Sequence, residues 1–254
     1  MKRNPRRLLQ LLPALWVLAA ASLASASKPA ATTQPLPSGS VKTVRVGHAH
    51  MLGSSCSVGQ AGPGLLMSNF IYPPDDRYYT LLMPSQCPAC ADSNSNSARL
   101  SNVHVQLFMQ VPCSTSVSVS IVGAAGPDSC PAPDPNTVLC AAPDTLLIAL
   151  ATGTVDFVIP LPDSCKFTGK AFLSVTFNGF AASCADSLQK PKLVLAGPPC
   201  HFCHSLNDFG TGRVIDLCSP EDGIGGEPVM YVDVAQCYTP VLPHSWGQLK
   251  VRYR

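Results

Sequence analysis

The chain has 254 residues, of which only 13% are charged, with 25 prolines, 12 cysteines and a formal net charge of +2. Glutamate occurs twice, at Glu221 and Glu227, so long solvated helices, which draw on Glu, Lys, Arg and Ala, are disfavoured. Beyond the first seven residues Lys and Arg are scattered, which argues against a nucleic-acid partner, because phosphate binding needs concentrated cations.

The N-terminus reads Met1-Lys2-Arg3-Asn4-Pro5-Arg6-Arg7, then an apolar run from Leu8 to Leu23, then Ala24-Ser25-Ala26. A cationic start, an apolar stretch and an A-x-A site in that order predict a signal peptide over residues 1–26. Gln10 and Pro13 interrupt the run, which is shorter than the roughly 18 to 20 clean apolar residues a membrane span requires. No later stretch is expected to span a membrane as a helix. Cleavage would remove four of the 17 basic residues and none of the 15 acidic ones, leaving a net charge of −2. Residues 27–40 are rich in Pro, Ser and Thr and read as a flexible leader.

Strand signals begin at Val41. Val44, Val46, His48 and His50 fall on one face of the first strand. Leu65–Tyr72 and Tyr78–Met83 are apolar runs joined by the turn signal Pro73-Pro74-Asp75-Asp76. Cys87–Ala98 reads as a polar loop. The clearest strand follows, with Val103, Val105, Leu107, Met109 and Val111 alternating with Asn102, His104, Gln106, Phe108 and Gln110. Val117, Val119 and Ile121 alternate with serines in the same way. Period-two alternation of this kind marks a half-buried antiparallel strand.

Residues 123–143 read as a Pro/Asp/Cys-rich loop. Further strands are predicted over Thr145–Leu150, Val155–Leu161, Ala171–Asn178, Lys192–Ala196 and Pro228–Gln236. About ten strands separated by turn signals predict an all-β fold: one antiparallel, jelly-roll-like β-sandwich over residues 41–243. A basic-aromatic tail occupies residues 244–254.

Twelve cysteines follow the predicted signal: Cys56, Cys87, Cys90, Cys113, Cys130, Cys140, Cys165, Cys184, Cys200, Cys203, Cys218 and Cys237. An even number in an exported chain predicts up to six disulfides stapling the sandwich, with the pairing left open.

Two segments carry a resemblance. Pro199-Cys200, followed by Ser205-Leu206-Asn207-Asp208-Phe209-Gly210-Thr211-Gly212, and the ending Ser245-Trp246-Gly247-Gln248-Leu249-Lys250-Val251-Arg252-Tyr253-Arg254, resemble segments of uncharacterised secreted β-sandwich proteins from environmental bacteria. The resemblance implies an exported sandwich and carries no activity with it.

Several constellations are candidates for chemistry. Cys200-His201-Phe202-Cys203-His204 matches the C-x-x-C-H attachment pattern of c-type haem, in which Cys200 and Cys203 would form thioethers and His204 would bind iron, with Met109, Met230 or another histidine as sixth ligand. The same pair together with Cys87-Pro88-Ala89-Cys90 matches two zinc knuckles. Cys87 and Cys90 alone match a redox dithiol, which needs a helix N-terminus to lower its thiol pKa. His48 and His50, two residues apart on a strand, point to one side and form half of a metal site that His201, His204 or His244 would have to complete. Asp222-Gly223-Ile224-Gly225-Gly226-Glu227 is an acidic turn with calcium-type oxygen ligands that does not follow the EF-hand pattern.

There is no G-x-S-x-G, no H-E-x-x-H and no carboxylate pair that spacing alone nominates. Asp156 and Asp233 stand out as aspartates inside strand patterns. Tyr72, Tyr78, Tyr79, Tyr231, Tyr238 and Trp246 are candidate stacking platforms for sugars.

The reading that follows is a secreted, periplasmic or cell-surface module with no catalytic residues to nominate. Its role is structural, adhesive or ligand-binding, and its partner is an extracellular ligand, a glycan or an envelope protein. An exported haem or metal protein built on the CHFCH segment is the first alternative. A hydrolase assembled from distant Asp and His residues is the second.

Overall fold

The computed structural model describes residues 33–46, 56–68, 71–92, 96–186, 188–221 and 223–238. The signal peptide, His48, His50, Asp222, His244, Trp246 and the tail over 244–254 lie outside the described residues.

Branched and aromatic residues alternating with polar ones favour a pleated, half-buried backbone, and here they form seventeen strands among the described residues. In chain order these are β1 (Thr33–Pro35), β2 (Lys42–Arg45), β3 (Cys56–Gly59), β4 (Gly64–Ser68), β5 (Asp76–Leu82) and β6 (Ser97–Met109). They continue with β7 (Cys113–Ala125), β8 (Ala132–Ala141), β9 (Thr145–Ala149), β10 (Gly153–Pro160), β11 (Lys166–Thr168) and β12 (Ala171–Phe180). The last are β13 (Lys192–Ala196), β14 (Ser205–Asp208), β15 (Val214–Asp216), β16 (Glu227–Pro228) and β17 (Met230–Tyr238).

Two sheets result. The larger has ten strands centred on β6, which pairs antiparallel with β10 on one edge and β17 on the other. Its one parallel contact is β2 against β10. The smaller has seven strands in the order β15-β14-β5-β12-β7-β8, with β9 also on β7. The chain passes repeatedly from one sheet to the other, as in a jelly roll. The expectation of an all-β, antiparallel, disulfide-stapled sandwich is therefore met.

The core lies between the sheets. Val103, Val105, Leu107 and Met109 of β6 face Val117, Val119 and Ile121 of β7 and Leu173, Val175 and Phe177 of β12 within one buried cluster. Tyr78 of β5 sits edge-on to Phe177 at 5.9 Å between ring centroids. Fully burying side chains of this size contributes about 1.5 to 3 kcal/mol each before the entropy of ordering is subtracted.

All twelve cysteines are paired: Cys56–Cys87, Cys90–Cys237, Cys113–Cys184, Cys130–Cys203, Cys140–Cys165 and Cys200–Cys218. Cys140 on β8 and Cys165 before β11 link the two sheets directly.

Three local readings are corrected. Residues 123–143 are not a loop but the ends of the β7–β8 hairpin. β8 is an edge strand carrying Pro133 and Pro135, and most of its side chains are exposed, so it has no buried face to impose alternation. Cys87–Ala98 contains a single helical turn, α1 (Pro88–Asp92), whose Ala91 N–H donates to Cys87 O at 3.0 Å. Two disulfides, at Cys87 and Cys90, pin that turn where propensity alone would not. Within the leader, Thr33–Pro35 forms a strand that pairs with β4. All three residues of β1 are exposed, so backbone pairing rather than side-chain burial holds them.

Candidate functional site

The outer face of the larger sheet carries the polar half of β6. His104 lies there between the two in-strand aspartates. Its Nδ1 is 2.8 Å from Asp156 Oδ2 on β10, and its Nε2 is 3.1 Å from Asp233 Oδ2 on β17. The ladder explains the placement: Asp156 pairs with Gln106, and Tyr231 pairs with His104, so both carboxylates sit one diagonal step from the imidazole. Tyr231 stacks on the ring at 4.3 Å, nearly parallel. Asn102 Nδ2 donates to Asp233 Oδ2 at 3.2 Å.

Burial works against a charged imidazole here, but the hydrogen bonds and charges of Asp156 and Asp233 outweigh it and raise the His104 pKa to about 9. Burial also pushes Asp233 up, yet the bond and charge of His104 leave it below its ordinary value. Burial, then the two carboxylates, hold the Tyr231 phenol well above its usual range. His104 is thus an imidazolium at neutral pH, with both N–H groups donated. It has no lone pair to act as a general base or to bind a metal. The arrangement is a clamp joining three strands.

The CHFCH segment is taken apart by its disulfides. Cys200 pairs with Cys218, and Cys203 pairs with Cys130, so no thiol remains for a haem thioether or a zinc knuckle. Cys87 and Cys90 likewise pair with Cys56 and Cys237 instead of each other, which removes the redox dithiol. What the segment does bring together is imidazole and carboxylate. His201, His204 and Glu227 each offer a ligand atom, and these atoms lie within 4.8 Å of one another. The acidic turn over 222–227 therefore contributes Glu227 to this corner.

The outer face of the smaller sheet is more open. A groove of about 240 Å³ runs across β5, β12 and β7, lined by Arg77, Ser118, Ser120, Asp144, Ser174 and Thr176 among others. Its side chains are already ordered. Asn178 Nδ2 donates to Ser118 Oγ at 2.8 Å, and Ser118 Oγ donates to Asp144 Oδ1 at 2.7 Å. Arg77 Nε donates to Thr176 Oγ1 at 2.9 Å.

Asn178 also borders a second cleft, of about 460 Å³, walled by Tyr72, Pro73, Pro74, Phe180 and Lys190. Ser174, Thr176 and Asn178 alternate along one face of β12, so the polar row leads from the groove to the cleft. The Lys190 ammonium lies 3.9 Å from the Tyr72 ring centroid. Fully buried Asp76 accepts bonds from Tyr72 N, Tyr78 Oη and Asn207 Nδ2 at 2.7, 3.1 and 2.8 Å. Burial dominates there and raises the Asp76 pKa to about 6.

Of the tyrosines considered as sugar platforms, Tyr78 is a core residue, Tyr79 is buried in a separate apolar cluster, Tyr231 is committed to His104, and Tyr72 is exposed beside the cleft. Ser118, Asp144 and Asn178 carried no nominating signal. They are ordinary polar residues until the pairing of β7 with β12 and with β9 sets them side by side.

No protein-family model matches the chain, and no curated protein matches it. Among solved structures, the cysteine protease and lectin-like domains of a surface layer associated protein of Clostridium difficile superpose with a TM-score of 0.41 at 12% identity. The match covers 66% of this chain and 33% of that one, so the chain spans about a third of that protein's length. A likeness this loose carries no argument about function. Six disulfides fit folding outside a reducing compartment. Among the described residues no helix is long and apolar enough to cross a membrane.

Proposed function

We propose that the protein is a secreted, periplasmic or cell-surface β-sandwich module that binds a polyhydroxylated ligand, a glycan, along the outer face of β12. The observation that carries this reading is the continuous polar row from the Arg77–Ser118–Asp144 groove to the Tyr72–Lys190 cleft. Sugar hydroxyls donate and accept at once, so their site needs both capacities interleaved. Ser118, Ser120, Ser174 and Thr176 supply hydroxyls of the same kind, Asp144 accepts, Arg77 donates and Asn178 does both. Sugar rings also have apolar faces, and Tyr72, Pro73, Pro74 and Phe180 provide a matching wall. The hydrogen bonds within the groove fix these groups before a ligand arrives, which lowers the entropic cost of binding.

The test is a glycan array on the secreted, disulfide-intact protein, followed by calorimetry on the polysaccharides retained. Asp144 and Asn178 are exposed, so Asp144→Ala and Asn178→Ala leave the core untouched. Each is expected to weaken binding by about five- to tenfold, the loss of one hydrogen bond of about 1 kcal/mol. Retention on a glycan with unchanged affinity in the double variant would place the ligand elsewhere, and no retention on any glycan would refute the reading.

A further inference from the structure

We infer that His201, His204 and Glu227 form a binding site for a single divalent transition-metal ion, with zinc the best match. The inference is independent of the glycan groove, since no residue is shared between them.

The ligand set is His₂Glu. Imidazole and carboxylate together suit zinc, copper and nickel, and three protein ligands leave a further position for water or an incoming group. His201 Nδ1 lies 2.9 Å from Glu227 Oε1, a separation that two atoms sharing one metal also adopt. The ion would take the place of the hydrogen between them. His204 completes the triangle, its ring stacked on that of His201 at 5.2 Å. A neutral imidazole has the lone pair that a metal needs.

The surroundings hold the ligands in place. Glu227 is 3% exposed, and its other oxygen accepts a bond from Gln60 Nε2, which fixes the carboxylate as outer partners of metal ligands do. The His201 backbone N–H also donates to Glu227, at 2.5 Å. Glu227 is carried on β16, paired to Ala196 of β13. The Cys200–Cys218 and Cys130–Cys203 bridges flank the two histidines and pin their loop. Asp216 accepts from the backbone N–H groups of Cys203 and Cys218 and so ties both bridges together. A loop tied at this many points places its donors before the ion arrives. His201 keeps about half its side chain exposed, so the ion can enter from solvent. The sulfurs that gave the CHFCH segment its haem and zinc-knuckle readings take no part.

The experiment uses the full chain purified with disulfides intact, stripped with EDTA and titrated with Zn²⁺ by calorimetry, with Co²⁺ absorption as a second readout. We expect one ion per chain and visible Co²⁺ bands of a low-symmetry N,O site. His201→Ala and His204→Ala should each weaken binding at least tenfold, and the double variant should abolish it. Glu227→Gln tests the carboxylate, with intact mass under non-reducing conditions reporting whether its six disulfides have formed. Failure of the wild-type protein to bind stoichiometrically would overturn the proposal. So would binding that survives both histidine variants, or that vanishes only in His48→Ala/His50→Ala.

Discussion

The Asp156–His104–Asp233 clamp makes a quantitative demand on stability. The His104 pKa rises from 6.5 to about 9 on folding. Between those values the folded protein holds a proton that the unfolded chain releases. The sign follows: the clamp's contribution is complete below pH 6.5 and is lost as pH climbs through 9. The full rise corresponds to about 3 kcal/mol, and partial solvent screening of a site at the sheet surface reduces this to about 2 kcal/mol. His104→Gln keeps hydrogen-bonding capacity but cannot carry charge, leaving Asp156 and Asp233 facing each other unneutralised. Urea unfolding of both proteins, disulfides intact, should be followed from pH 5.5 to 10. We expect the wild type to exceed the variant by about 2 kcal/mol more at pH 6 than at pH 9.5. Other titrating groups cancel in that difference. Carbon-detected titration of the single imidazole assigned to His104 gives a second reading. A stability difference flat across this range, or a His104 midpoint near 6.5, would refute the clamp.

Asp76 has the same sign by a different cause. Its pKa is raised to about 6 by burial, so its ionisation lowers stability as pH rises from 3.8 through 6, and Asp76→Asn should flatten that part of the profile while loosening the bonds from Tyr72, Tyr78 and Asn207. The Cys90–Cys237 bridge closes a span of 147 residues and Cys140–Cys165 one of 25, so loop-closure entropy predicts losses of about 5 and about 3.5 kcal/mol when each pair is replaced by alanine, measured by thermal unfolding. A Cβ at Gly64 would stand 2.3 Å from Val194 Cγ1, so Gly64→Ala should cost about 1 to 3 kcal/mol in urea unfolding, where β13 shifts register against β4.

The sequence exposed what is periodic and hid what is relational. Val103, Val105, Leu107 and Met109 announce β6 because one face is wholly buried, and Val117, Val119 and Ile121 announce β7 for the same reason. β8 stayed hidden because an exposed edge strand has no buried face, and β14 because its buried positions Ser205 and Asn207 are polar, Asn207 donating to Asp76 and to the Arg77 carbonyl. Asp156 and Asp233 were visible as charges inside strands. Their meaning was not, since His104 is 52 residues from one and 129 from the other, and only the ladder register sets the three together. The disulfide count was legible from parity and compartment. The pairing was not, and it decides the fate of the CHFCH segment.

The two outer faces follow from how each sheet uses its polar residues. On the larger sheet, Asn102, His104, Asp156 and Asp233 are joined by hydrogen bonds, and Phe108, Val194, Ala196, Val229 and Tyr231 pack beside them with Leu36. On that face both imidazole N–H groups of His104 are committed to carboxylates, and Asp156 and His104 are largely buried. On the smaller sheet, Tyr79, Leu81, Val122, Phe172 and Leu206 form a buried cluster at one end, and beyond it the row Ser174–Thr176–Asn178 runs from the buried groove floor to exposed Asn178, near exposed Asp144. Hydroxyls and a carboxylate at a groove retain acceptor lone pairs after their mutual bonds are made. A ligand that brings donors of its own gains most there, which is why the glycan reading belongs to β12 and not to the histidine clamp.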